Sequence, residues 1–143
     1  MFNYPVKLQR DTQGAYLVTC RDLPDTVSGG NTQEQALEKV VSSLVKTVAD
    51  YIEHRRPVPL ASTPEKNEHV ITLPILVVAK TALWNAMVET GTRKTDLARL
   101  LGVHLPQVDR LLNVKHSSKI ESIESALQRL GRKLRLQVSR CHK

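Results

Sequence analysis

Gln107 and Arg110 stand three residues apart in a cation-rich stretch, and both side chains can read nucleic-acid bases. In the major groove a guanidinium pairs bidentately with guanine and a carboxamide with adenine. His104 and Leu105 precede them and Asp109 lies between them. Lys94, Thr95, Arg99, Lys115 and Lys119 surround the group. Cations and hydroxyls of that kind bind phosphate oxygens and position a duplex without reading it; any one could equally be a solvated surface group. His104 has no second ligand at metal spacing. A second set is acidic: Asp11, Asp22, Asp25, Glu34 and Glu38. Metal-dependent phosphodiester cleavage needs several carboxylates converging on ions, whereas the three aspartates fall in turn-like segments and Glu34 in a first helical turn. No catalysis, metal or cofactor is therefore expected. The acids suit a basic protein partner near one end of a sheet, or serve as turn and cap residues.

The elements that must position the first set follow from one passage, KTDLARLLGVHLPQVDRLLN (residues 94–113). One amphipathic helix would not tolerate Gly102 and Pro106 four residues apart at its middle. Two short helices joined by a tight turn accommodate both. The first, 95–101, turns Leu97, Ala98 and Leu101 inward, and Ala98 is small where two helices cross. Gly102 supplies a left-handed turn residue, and Val103 plugs the corner. The second helix starts at His104 or Leu105 with Pro106 in its first turn, where no amide partner is needed. Val108, Leu111 and Leu112 face the core, which leaves His104, Leu105, Gln107, Asp109 and Arg110 outside. This is the pattern of a helix-turn-helix. It resembles that of the Cro and phage-repressor class, in which the places of Leu105 and Pro106 often carry polar base contacts. Leu105 shifts the expectation there toward a thymine methyl group.

Charge supports a polyanion partner for one half alone. Residues 1–74 carry 8 Lys+Arg against 9 Asp+Glu, and residues 75–143 carry 13 against 5. Aromatics make up 3% of the chain, too few for base-stacking platforms. The longest apolar run, 75–79, ends at Lys80 and cannot span a bilayer. The N-terminus shows no basic-then-apolar leader pattern. Cys20 and Cys141 form no CxxC, which points to a reduced, cytoplasmic setting.

Residues 4–10 and 15–20 alternate as strands about a DTQG turn. A third strand is expected around 26–28, ended by a Gly29-Gly30 break. A helix follows, with Thr32 and Gln35 as a capping box and a stripe of Leu37, Val40, Val41, Leu44, Val48 and Ile52. A proline-rich loop then leads to a fourth strand, 70–73. Leu76, Ala79, Leu83, Ala86 and Met87 stripe the next helix, which ends at Gly91. After the paired helices, Ser117 or Ser118 can cap a helix carrying Ile120, Ile123, Leu127 and Leu130, ended by Gly131. Residues 133–140 alternate Leu134, Leu136 and Val138 with polar residues. A lone strand of that kind must pair with the first half or with another copy, and two-fold readers of DNA make self-pairing the economical reading. The fold class is α+β: a small β-β-β-α-β domain over 1–74, and an all-α helix-turn-helix domain over 75–143 with a terminal dimerising strand.

The order of the halves resembles the HicB family of bacterial antitoxins over nearly the whole chain. Its marks are Gly14-Ala15-Tyr16, Asp22-Leu23-Pro24, Gly30-Asn31-Thr32 with Glu34 and Ala36, the proline-rich loop, VITLP, and the repressor-like residues Ala98, Leu101-Gly102-Val103 and Arg110-Leu111-Leu112. The resemblance implies a partial ribonuclease H-like first domain that blocks a small basic mRNA-cleaving toxin of the HicA kind. It also implies a second domain that represses the shared operon at a palindromic operator. A ligand-responsive repressor with a small-molecule-sensing first half is the alternative reading.

Overall fold

Four strands and five helices make up the computed structural model, which describes residues 1–140. Strands β1 (Asn3–Arg10), β2 (Tyr16–Thr19), β3 (Val27–Gly30) and β4 (Glu68–Thr72) form one antiparallel sheet in the order β3-β2-β1-β4. Alternation along β1 buries Tyr4 and Val6 and half-buries Leu8, while Asn3, Lys7 and Gln9 face out. Helix α1 (Gln33–Glu53) covers the inner face with Ala36, Val40, Leu44, Val48 and Ile52. Leu37 and Val41, expected in its stripe, are only half-buried.

Two local expectations need correction. Gly29 and Gly30 do not break β3; they end it in register with Leu17 and Tyr16. They are glycines because of close approach. A Cβ on Gly29 would lie 2.7 Å from the Tyr16 carbonyl oxygen, and one on Gly30 2.8 Å from the Ala36 nitrogen. The α1 cap is also shifted by one residue on its return arm. Thr32 Oγ1 accepts from Gln35 N (3.1 Å), but Gln35 Oε1 accepts from Asn31 N rather than from Thr32.

The proline-rich loop is a strap tied at both ends. Tyr4 Oη donates to the Pro59 carbonyl (2.6 Å), and the Asp22 carboxylate accepts from the Ser62 amide (2.9 Å) and hydroxyl. On the other side Trp84 Nε1 donates to the Arg56 carbonyl (2.8 Å). The Asn85 carboxamide pairs with both the N–H and the C=O of Val58 (2.8 and 2.9 Å).

Trp84 and Asn85 belong to α2 (Ile75–Thr90), which is apolar on nearly every side and therefore central. It buries Val77, Ala79, Leu83, Trp84, Ala86 and Met87, with Leu76 only half-covered. Helices α4 (Leu105–Leu112) and α5 (Ile120–Arg129) pack against it, and α3 (Lys94–Leu101) packs against α4 and α5. The cap of α5 is Lys119, without a side-chain bond; Ser118 Oγ instead accepts from the Lys80 ammonium. Helix α5 buries Ile123 and Leu127, and Leu130 is buried just beyond it. The terminal strand is not formed within one chain. Residues 132–140 have no regular structure, and Leu136 and Val138 are 73% and 88% exposed while Leu134 rests on the core. A strand needs a ladder partner, and no edge of the sheet pairs with this segment. Cys141 lies outside the described residues. None of the described helices is long and apolar enough to cross a membrane.

Candidate functional site

Helices α3 and α4 meet through a three-residue turn. Gly102 takes the left-handed conformation (φ 66°), and Val103 N donates back to the Ala98 carbonyl (3.0 Å). Leu97, Val108, Leu111 and Leu112 are buried, with Ala98, Leu101 and Val103 half-buried beside them. Because that face is committed to the core, His104, Leu105, Gln107, Asp109 and Arg110 are all exposed.

Two details alter what these residues can do. Gln107 Oε1 accepts from the His104 amide (3.0 Å), capping α4, so one lone pair of that oxygen is used and its N–H donors stay free. A bidentate adenine contact would have to share that oxygen with the cap. Lys94 Nζ pairs with Asp109 Oδ1 (3.0 Å), tying the start of α3 to α4, so Lys94 is partly neutralised. Thr95, Arg99, Lys115 and Lys119 are exposed. The cations flank α4 on two sides. Gln107, Arg110, His116 and Lys119 line a cleft between α4 and α5. Lys94, Asp109 and Lys115 line another that faces Asp50 and Glu53 at the end of α1. At the start of α3, the Asp96 carboxylate accepts from the Arg93 amide (3.0 Å). That bond and the Arg93 guanidinium hold its pKa below the usual carboxylate value.

Lys80 is the residue that sequence reasoning missed. It is 0% exposed, and its Nζ reaches four oxygens behind the outer face of α4. Burial lowers its pKa to about 8. The signal was present: a lysine inside a helix that is apolar all round, one position after Ala79 and three before Leu83.

The acids of the first half do not gather at one end of the sheet, contrary to expectation. Asp11 sits at the β1–β2 tip, where Oδ1 accepts from the Gln13 and Ala15 amides (2.8 and 2.9 Å). Arg10, Tyr16 and Gly30 lie in register at that end, so Asp11 and Glu34 share it, with Glu38 one turn further along α1. Asp22 and Asp25 follow the opposite end, where Lys7, Thr19 and Val27 are in register, about 10 Å away along the strands. Asp22 is engaged by Ser62, while Asp25, Glu34 and Glu38 are exposed. Nearby, Arg21 clamps Glu68 (2.9 Å) and lowers its pKa. No group of three metal-ligating side chains occurs among the described residues.

Residues 3–82 match the model of the HicB-like antitoxins of bacterial toxin–antitoxin systems, a span that takes in the whole sheet, α1 and the first half of α2. Antitoxin HicB of Pseudomonas fluorescens strain Pf0-1 is 39% identical over 96% of this chain and 94% of its own length. The chain belongs to the HicB antitoxin family. Antitoxin HicB 2 of Photorhabdus laumondii is 39% identical over 93% of the chain and 94% of its own length, and Antitoxin HicB of Escherichia coli K12 is 32% identical over 93% and 96%. The HicB model ends within α2, so helices α3 to α5 are covered by the relatives alone.

Proposed function

We propose that this chain is the antitoxin of a two-protein system. Residues 1–74, as a partial ribonuclease H-like domain, bind and neutralise a small basic mRNA-cleaving toxin of the HicA kind. Residues 75–143 repress the shared operon by binding a palindromic operator as a dimer. The toxin-binding half rests on family membership. The single observation that carries the DNA-binding half is α4, whose apolar face is buried in the core and whose outer face carries Arg110, with Lys119 on one side and Lys94 and Lys115, beside Asp109, Asp50 and Glu53, on the other. A helix so mounted can lie in a major groove with Arg110 at a guanine edge and Leu105 near a thymine methyl. Lys115, Lys119, Arg99, Thr95 and Lys94 then serve phosphates, Lys94 after leaving Asp109. Asp11, Glu34 and Glu38 form one acidic surface for the toxin and Asp25 another; Asp22 acts through the strap it holds. Self-pairing of 133–140 covers Leu136 and Val138 and joins two copies.

Co-expression with any small reading frame found beside its gene tests the reading. A basic ribonuclease should copurify, and its mRNA cleavage should be suppressed by the full chain. If no such protein copurifies and a small molecule instead controls duplex binding, the ligand-responsive repressor is the correct function.

A further inference from the structure

Lys80 sits at the middle of α2 with no surface exposed. Its ammonium donates to the carbonyls of Arg110 (2.8 Å), Asn113 (2.9 Å) and His116 (2.7 Å), and to Ser118 Oγ (2.8 Å). Three hydrogens shared among four oxygens leave no donor idle. The Arg110 carbonyl is in the last turn of α4, where its only backbone donor is the Asn113 amide at a long 3.3 Å and the helix dipole is negative. The other three oxygens lie along the loop from α4 to α5. No carboxylate pairs with Lys80 among the described residues; the oxygen cage alone offsets its buried charge.

We infer that Lys80 is the positioning residue of the recognition surface: its ammonium fixes the backbone that carries Arg110, Lys115 and Lys119 relative to the core. The inference rests on the DNA-binding reading above. It follows from what the surface lacks. Helix α4 has eight residues and depends on the packing of Val108, Leu111 and Leu112, and the loop after it has no regular structure and buries only Val114. One buried group bonded to residues 110, 113, 116 and 118 sets the spacing between a base-reading side chain and two phosphate-binding ones. Reading a base demands that spacing, whereas attraction to phosphates does not.

The test uses the full chain and duplexes selected from a random pool by the wild type. Lys80→Met should lose about tenfold or more in affinity for the selected duplex. Its affinity for random duplex at low salt should change by less than about threefold, because the surface cations remain. Lys80→Ala refolded with propylammonium should regain part of the preference, and with propanol none. Equal losses on both duplexes, or a Lys80→Met that keeps the preference, overturn the inference while leaving the DNA-binding reading intact. A wild type that selects no duplex refutes that reading, and the inference with it. Where neither variant folds, the wild type decides. A Lys80 ammonium signal in the nitrogen-15 spectrum that exchanges slowly with water is expected, and exchange at the rate of a surface lysine overturns the clamp.

Discussion

Replacing Asn85 tests whether the strap joins the two halves into one cooperative unit. Its Oδ1 accepts from Val58 N at 2.8 Å and its Nδ2 donates to Val58 O at 2.9 Å. Val58 is 2% exposed and stands between Pro57 and Pro59, neither of which has an N–H to offer. In Asn85→Ala both bonds vanish and both backbone groups of a buried residue lose their partner. Each bond is worth about 1 kcal/mol net and each orphaned group costs about 1–3 kcal/mol. Asn85 is itself half-buried, so water reaches part of the site, and about 2–4 kcal/mol in total is expected. With a urea slope of about 2 kcal/mol/M, the unfolding midpoint should fall by about 1–2 M with unchanged slope.

Asn85→Asp gives the same position a pH signature. The introduced carboxylate still accepts from Val58 N but faces Val58 O without a proton to give. Desolvation and that oxygen raise its folded pKa above the unfolded value, so the folded state binds the extra proton. Stability then falls as pH rises from the unfolded value through the folded one, and is regained on acidification. Urea titrations of both variants at several pH values are the assay. An Asn85→Ala variant within about 0.5 kcal/mol of wild type, or an Asn85→Asp variant that titrates like the wild type, refutes the reasoning. Residues 75–143 should fold and bind DNA alone. A fragment starting at residue 55 keeps the Arg56 and Val58 contacts and should be the more stable of the two.

Arg55 ends α1 at φ 57°, in the position that Gly91, Gly102 and Gly131 fill after α2, α3 and α5; Arg55→Gly should raise stability by about 0.5–1 kcal/mol, read from the melting temperature. Gly30→Ala places a Cβ 2.8 Å from Ala36 N and 2.9 Å from Gln35 Cβ, so the start of α1 must move; a loss of about 1–3 kcal/mol in chemical denaturation is expected. Arg110→Ala should cost about 1–3 kcal/mol and relax preference at one base pair per half-site, while Lys115→Ala should weaken all duplexes alike and lower the salt slope by about one. If Lys115→Ala changes the selected sequence and Arg110→Ala does not, α4 is placed wrongly in the groove. Truncation after Lys133 should convert a dimer to a monomer in sedimentation, and an unchanged dimer rejects self-pairing of that segment.

What was legible in the sequence was whatever a local pattern carries. Local patterns and the glycine and proline positions located every strand and helix of the described residues, including the turn at Gly102 and the start of α4 near Pro106, but the same alternation also put a strand at 133–140 that one chain does not form. Gly29 and Gly30 were misread because a glycine needed for close approach has the same letter as one that breaks a strand. Only the distance to Tyr16 and Ala36 tells them apart. The grouping of the acids by sheet end was not legible for a related reason: a hairpin reverses direction, so residues near one another in sequence, Asp11 and Asp22, follow opposite ends of the strands.

Lys80 shows the limit more sharply. Its four oxygens come from residues 110 to 118, at least 30 positions away, and three of them are backbone carbonyls that no residue type advertises. A buried charge is tolerated only where its hydrogen bonds are satisfied. The useful sequence question about a lysine in an apolar helix is therefore which helix end lies across from it. Here the answer is the end of α4, the helix whose outer face carries the base-reading candidates. The residue least visible in the pattern is thus the one bonded most directly to the backbone of the proposed recognition surface.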